Sequence, residues 1–182
     1  MESYMNRISN TGIVPVVKIL EKEDAYPLAK ALLNGGIDVI EVTYRSEHAT
    51  SAIQTISKEL PDMLVGAGTV LSVDQAKEAV EAGAKFIITP GFNTKVVQWC
   101  LDHDIEVYPG VSTASEIEMA LSMGLTQLKF FPAESSGGAK KLKDLSAPYA
   151  NVHFMPTGGI NTKNMHDYLA LPNVEAIGGS FM

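Results

Sequence analysis

The sequence has few cysteines, few arginines and no long apolar runs, and each shortage excludes a class of protein. Its single cysteine, Cys100, cannot form an intramolecular disulfide or a multi-cysteine zinc site, which suits a reducing compartment. No stretch approaches the ~18 to 20 consecutive apolar residues that span a membrane. The first ten residues also lack the apolar core of a signal peptide. We therefore expect a cytoplasmic protein that does not associate with membranes.

Positive charge is scarce as well. The 182 residues include 14 basic and 21 acidic side chains, which gives a formal net charge of -7. A nucleic-acid-binding protein would usually carry a basic patch, so nucleic acid is not an expected partner. Apolar residues make up 46% of the chain and charged residues 19%, which is enough apolar material for one sizeable core in one domain.

Short runs rich in Val, Ile and Phe alternate with segments whose apolar residues recur three or four positions apart, as in amphipathic helices. The eight apolar runs are residues 12–19, 37–43, 63–69, 85–89, 105–109, 125–131, 152–157 and 174–178. The helical segments between them are residues 24–34, 47–60, 73–82, 94–103, 114–123 and 162–169. This alternation predicts a parallel sheet covered by helices.

Eight short units favour a closed (β/α)8 TIM barrel over an open doubly wound sheet, because no nucleotide fingerprint follows the first strand. A complete barrel needs an eighth helix after the eighth strand, but the sequence stops at Met182. We therefore expect one domain, residues 1–182, that lacks the final C-terminal helix. The apolar surface left bare would then be open to another chain.

Lys129 is the strongest catalytic candidate, because active sites of such barrels lie at the C-terminal ends of the strands. Strand alternation places Gln127, Lys129 and Phe131 on one face, and Lys129 points into the barrel if Phe130 packs against the helices. A buried ammonium loses hydration, which favours a neutral amine able to attack a carbonyl. A lysine that is ion-paired only for structural reasons would fit the same pattern.

Glu41, Thr43 and Arg45 share one face of the second predicted strand and its end. A carboxylate in an otherwise apolar interior could transfer protons. Arg45 could either neutralise Glu41 or bind a substrate carboxylate through both guanidinium nitrogens.

Small residues at three other strand ends suggest where an anion could bind. Thr69 follows 66–68 (Gly-Ala-Gly), where a ligand could approach the backbone. Glycine pairs follow the seventh and eighth predicted strands, the usual phosphate site of such barrels, although simple turns would need the same glycines. The histidines show no metal-ligand spacing, so no metal is predicted.

Several motifs, in order and in spacing, carry a resemblance to a known family. They are residues 36–45 (Gly-Ile-Asp-Val-Ile-Glu-Val-Thr-Tyr-Arg), 65–71 (Val-Gly-Ala-Gly-Thr-Val-Leu), 89–91 (Thr-Pro-Gly), 109–110 (Pro-Gly), 129–134 (Lys-Phe-Phe-Pro-Ala-Glu), 156–160 (Pro-Thr-Gly-Gly-Ile) and 178–180 (Gly-Gly-Ser). From about residue 12 to residue 180 the chain resembles the 2-keto-3-deoxy-6-phosphogluconate (KDPG) / 4-hydroxy-2-oxoglutarate (KHG) aldolase family.

The resemblance implies a class I aldolase on a (β/α)8 barrel, a homotrimer that needs no metal or other cofactor. It would cleave KDPG to pyruvate and glyceraldehyde 3-phosphate in the Entner–Doudoroff pathway, or KHG to pyruvate and glyoxylate; galactonate-type substrates stay open. Lys129 matches the Schiff-base lysine and Glu41 the general acid/base. The implied substrate-binding residues are Arg45 and Thr69 for the carboxylate, Thr157 for stereochemical discrimination, Gly158, Gly159, Gly179 and Ser180 for the phosphate, and Pro90 and Phe131 as pocket lining.

Two other functions remain in competition with this one. A sugar-phosphate isomerase or epimerase would share the glycine loops but has no need for a lysine inside the sixth predicted strand. A non-catalytic scaffold would use the bare C-terminal surface to bind a partner. Trapping of a pyruvate adduct on Lys129 by borohydride distinguishes the aldolase from the first, and pyruvate release in a coupled assay distinguishes it from the second.

Overall fold

The computed structural model describes residues 3–182. Residues 1 and 2, which belong to the N-terminal segment without signal-peptide character, lie outside the described residues. Its strands are β1 (Ile13–Val17), β2 (Val39–Thr43), β3 (Leu64–Gly68), β4 (Phe86–Ile88), β5 (Glu106–Tyr108), β6 (Gly110–Val111), β7 (Gln127–Phe130), β8 (His153–Pro156) and β9 (Ile177–Gly179). Its helices are α1 (Tyr4–Thr11), α2 (Ala25–Asn34), α3 (Ala49–Glu59), α4 (Val73–Glu81), α5 (Thr94–Asp102), α6 (Ala114–Ser122), α7 (Gly138–Leu145) and α8 (Met165–Leu169). None of the helices in this part of the chain has the length and apolar character needed to cross a bilayer.

The expected closed (β/α)8 TIM barrel is wrong. Within residues 3–182 the strands form two parallel sheets, one of six strands in the order β5-β4-β3-β2-β1-β9 and one of three in the order β6-β7-β8. The six-stranded sheet curls into half a barrel. At one seam Pro109, the last residue of the predicted fifth strand, separates β5 from β6 and has no N–H to donate to a ladder. At the other seam only isolated bridges, Phe154 to Val174 and Thr157 to Gly178, link the two sheets.

Side chains of the strands alternate between an inner cluster and two outer clusters. In β2, Val39 belongs to the inner cluster, while Ile40 and Val42 pack outward against α3 and its neighbours. In β7, Leu128 and Phe130 likewise pack outward against the second group of helices. This alternation leaves the intervening residues of both strands pointing into the space between the sheets.

Helix α1, which the sequence analysis did not predict, closes the N-terminal ends of the strands. Its Met5 and Ile8 are buried among inner side chains of both sheets. Arg7 Nε lies 2.6 Å from Asp38 Oδ2. Burial opposes ionisation of Asp38, but hydrogen bonds from Thr11 and Arg7 outweigh it and hold the pKa of that carboxyl below its usual value. Helix α1 therefore covers inner side chains at the N-terminal ends of the strands.

Candidate active site

An ion pair between the two sheets is the centre of the site. Lys129 Nζ lies 3.1 Å from Glu41 Oε1 and 3.4 Å from Glu41 Oε2, which joins β7 to β2. The side chains are 5% and 0% exposed. Both point inward, as the strand alternation predicts. The lysine therefore has a proton acceptor within direct hydrogen-bond distance and almost no water around it.

Gly68 makes room for the carboxylate of Glu41. Register pairs β2 with β3, and a methyl group on Gly68 would overlap the Glu41 carboxyl group. Gly68 is therefore needed for the acid itself and Gly66 for the ring of Phe86, whereas the sequence suggested that these glycines allow a ligand to approach.

Arg45 does not act as the counter-charge of Glu41. Its Nε donates a 3.1 Å hydrogen bond to Thr43 Oγ1, and the Thr43 hydroxyl donates in turn to the carbonyl of Val17 at 2.8 Å. Among residues 3–182, Glu41 is paired with Lys129 and not with Arg45. The guanidinium is exposed at the rim, and its remaining N–H groups are free to bind an anion.

Thr69 has an unusual backbone conformation at the end of β3. Its φ is 56°, in the left-handed region, which is rare for a β-branched residue and costs of the order of 1 to 3 kcal/mol. Strained residues of this kind cluster at active sites. Thr69 lines the same cavity as Lys129.

Phe131 and Pro90 line the same cavity as the ion pair. The ring centroid of Phe131 is 5.4 Å from Lys129 Nζ, close enough for a cation–π interaction. Pro90 follows β4, and Gly110 packs so closely against its carbonyl that a methyl group there would overlap it.

The two glycine loops lie side by side at the far end of the cavity. Gly158 and Gly159 have φ values of 101° and 81°, which favour glycine. Thr157 is 5% exposed, and its Oγ1 has no hydrogen-bond partner within residues 3–182. The isolated bridge from Thr157 to Gly178 holds this loop next to Gly179 and Ser180.

All eleven residues named from the sequence line one cavity of about 330 Å³. The cavity has three further lining residues: Gly178, which belongs to the glycine pair predicted after the eighth strand, and Val16 and Ile160, to which the sequence gave no role. Val16 could have been found from register, because it pairs with Glu41 across β1 and β2. The cavity combines an amine, an adjacent acid, an arginine at the rim and a glycine-rich end, which suits an anionic carbonyl compound.

Comparison with known proteins supports the same interpretation of the cavity. Residues 4–182 match the family model described as KDPG and KHG aldolase. The 2-dehydro-3-deoxy-phosphogluconate aldolase of Treponema pallidum is 47% identical over 182 residues, which cover all of this chain and 87% of that protein. The KHG/KDPG aldolase of Escherichia coli K12 is 47% identical over 176 residues, 96% of this chain and 83% of that protein.

A solved structure is also closely similar. The KDPG aldolase of Legionella pneumophila, with pyruvate captured at low pH as a covalent carbinolamine intermediate, superposes with a TM-score of 0.96 at 43% identity. The match covers 99% of this chain and 87% of that one. On these similarities the chain belongs to the KDPG and KHG aldolase family.

Proposed function

We propose that Lys129 and Glu41 perform the Schiff-base chemistry of this aldolase, which cleaves KDPG into pyruvate and glyceraldehyde 3-phosphate. KHG, which would give pyruvate and glyoxylate, is the second candidate substrate. The observation that carries the proposal is the buried Lys129–Glu41 pair, with Nζ and Oε1 3.1 Å apart. A nucleophilic amine needs a neighbouring base to take its proton, and this pair supplies both groups in one place.

The first half of the reaction builds an electron sink. Lys129 passes a proton to Glu41, and the neutral amine adds to the C2 ketone to form a carbinolamine. Glu41 returns a proton to the C2 hydroxyl, which leaves as water. The product is an iminium whose positive nitrogen draws electrons away from C3.

The second half breaks the C3–C4 bond. Glu41 accepts the proton of the C4 hydroxyl, the C4 oxygen becomes the aldehyde carbonyl, and the bonding electron pair moves to C3 as an enamine. Glyceraldehyde 3-phosphate leaves. Protonation of the enamine at C3 and hydrolysis of the resulting iminium release pyruvate and restore Lys129.

The remaining cavity residues hold the two ends of the substrate. Arg45 and Thr69 bind the C1 carboxylate at one end, and the amides of Gly158, Gly159, Gly179 and Ser180 bind the phosphate at the other. Phe131 and Pro90 form apolar walls between the two ends. Thr157 Oγ1, which has no hydrogen-bond partner within residues 3–182, binds a substrate hydroxyl and so contributes to the choice between stereoisomers.

We also propose that the protein works in the cytoplasm as a homotrimer, within the Entner–Doudoroff pathway. The single cysteine suits a reducing compartment. Leu71, which follows Thr69 and Val70 at the rim, is 58% exposed and offers apolar surface to a second copy. Light scattering should give a mass near three times 19.6 kDa; a monomer mass would contradict the trimer.

Borohydride trapping tests the proposed function. Incubation with pyruvate and borohydride should add one reduced pyruvyl group, which peptide mapping should place on Lys129. Arg45→Met should require a pyruvate concentration about 10 to 100 times higher for half-maximal trapping, because a charge-assisted hydrogen bond to the carboxylate is lost. Absence of an adduct in the unmodified protein would favour an isomerase or epimerase instead, and an adduct on another lysine would move the active site elsewhere.

A further inference from the structure

The loop after β7 supports the glycine loop at the far end of the cavity. Ala133 N–H donates to the Thr157 carbonyl at 2.8 Å, and Glu134 N–H donates to the Gly158 carbonyl at 3.1 Å. On the other side of the loop, a methyl group on Gly159 would lie 2.6 Å from Glu134 Cγ and 2.7 Å from Glu134 Cβ. The stem of Glu134 therefore lies directly against the Gly159 α-carbon.

The carboxylate of Glu134 is held by a buried tyrosine. Tyr168, in α8, donates its hydroxyl to Glu134 Oε1, and its residue is 1% exposed. Burial raises the pKa of Tyr168, and the hydrogen bond and negative charge of Glu134 raise it further, so the hydroxyl stays a donor at neutral pH. Gly138 lies against both groups, and a methyl group there would be 3.3 Å from Glu134 Oε1 and 3.5 Å from the Tyr168 hydroxyl.

Neither Glu134 nor Tyr168 lines the cavity, so any effect on the substrate must pass through the glycine loop. Glycines with positive φ have many accessible conformations, and the direction of their N–H groups depends on what holds them. Glu134 has a second influence, because an unrestrained carboxylate beside an anion site would oppose anion binding. The bond to Tyr168 fixes the position of that charge.

We propose that Tyr168 and Glu134 are positioning residues that orient the Gly158–Gly159 loop for the substrate phosphate. Tyr168 holds the Glu134 side chain, and Glu134 holds Gly159 so that the amides of the loop point into the cavity. This inference rests on the proposed function for the identity of the phosphorylated substrate. The part played by the loop in anion binding can be measured separately.

Tyr168→Phe removes only the hydroxyl, so the fold should be retained. We expect the KM for KDPG to rise about five- to tenfold, as for loss of one typical intramolecular hydrogen bond. The kcat for KDPG and the kcat/KM for unphosphorylated KHG should not change. Tyr149→Phe is the matched control, because Tyr149 donates to Glu118 Oε1 at 3.0 Å outside the site, and it should leave all of these constants unchanged.

Substitutions at Glu134 provide the second test. Glu134→Gln keeps the stem against Gly159 and an oxygen to accept the Tyr168 hydrogen bond, so the KM for KDPG should stay within about twofold. Glu134→Ala removes both and should raise that KM at least as much as Tyr168→Phe. Equal losses on KDPG and KHG would indicate a merely structural role, and unchanged KM values in Tyr168→Phe and Glu134→Ala would overturn the proposal.

Titration with inorganic phosphate separates this inference from the proposed function. The backbone amide resonances of Gly158 and Gly159 should shift in the unmodified protein, and the Kd should be about five- to tenfold weaker in Tyr168→Phe. This readout does not require aldolase activity. If the protein binds phosphate at the loop but forms no pyruvate adduct, the proposed function is wrong and the positioning role is unaffected. A loop that does not respond to phosphate, or responds equally in both proteins, would overturn the positioning role.

Discussion

Lys129→Met will abolish aldol cleavage and will also destabilise the fold. The activity should fall by roughly four orders of magnitude or more, since the variant has no amine to form the Schiff base. The stability should fall because Glu41, which is 0% exposed, loses the only cation paired with it among residues 3–182. Breaking a buried pair by removing one partner typically lowers the free energy of unfolding by about 3 to 5 kcal/mol.

The double variant Lys129→Met/Glu41→Gln separates the two effects. A neutral amide in place of the carboxylate removes the uncompensated charge, so most of the lost stability should return while activity stays absent. Urea unfolding at one fixed protein concentration measures the differences, because subunit association would otherwise contribute.

An exposed ion pair of similar length provides the control for burial. Lys140 Nζ and Asp144 Oδ2 are 2.9 Å apart, but their side chains are 85% and 64% exposed. Lys140→Met should change the free energy of unfolding by no more than ~0.5 kcal/mol. If Lys129→Met were as mildly destabilising as Lys140→Met, the charge of Lys129 would not be needed to stabilise the buried Glu41. A double variant no more stable than Lys129→Met would point to packing instead of charge.

The inward positions of Lys129 and Glu41 could be predicted from sequence because successive side chains of a strand alternate between only two faces. Once Phe130 is assigned to the outer face, Lys129 must face inward, and the same reasoning applies to Glu41 between Ile40 and Val42. The distance between the two side chains could not be predicted, because it depends on how two sheets face each other.

Whether the sheet closes into a barrel could not be predicted from the periodicity of apolar residues either. Apolar runs indicate buried parallel strands, but pairing of neighbouring strands depends on backbone N–H groups along each seam. Pro109, where the predicted fifth strand ends, has no N–H, and it separates β5 in the larger sheet from β6 in the smaller one. The pattern of side chains contains no signal for such a break except the proline itself.

The two missed helices have too few buried side chains for a periodicity argument. In α7 the only fully buried residue is Leu142, and in α1 only Met5 and Ile8 are buried. The ends of α1 were a better signal, whereas α7 has no side-chain cap. The Ser3 side chain caps α1 by accepting from Met5 N–H, and Gly12 ends it with a φ of 73°. The Tyr168–Glu134 contact was not predictable, because it joins elements 34 residues apart.

Glu41→Gln will strongly slow carbon–carbon cleavage while leaving Lys129 able to react with pyruvate. The amide fills the space beside Gly68 but cannot accept the C4 hydroxyl proton, so kcat should fall about 10²- to 10⁴-fold. Lys129 itself is unchanged in this variant and keeps the amine that forms the adduct. Borohydride should therefore still trap the pyruvate adduct, although more slowly.

Exchange of the pyruvate methyl protons in D₂O tests whether Glu41 also carries the proton at C3, because exchange requires reversible loss of a C3 proton from the iminium to give the enamine. We expect Glu41→Gln to slow this exchange as strongly as it slows cleavage. Glu175→Gln is the control, since Glu175 pairs with His153 at 2.7 Å at the opposite end of the strands and should leave both rates unchanged. A Glu41→Gln variant that keeps kcat within about tenfold would assign the proton transfers to another group, because a true general base contributes at least 10²-fold.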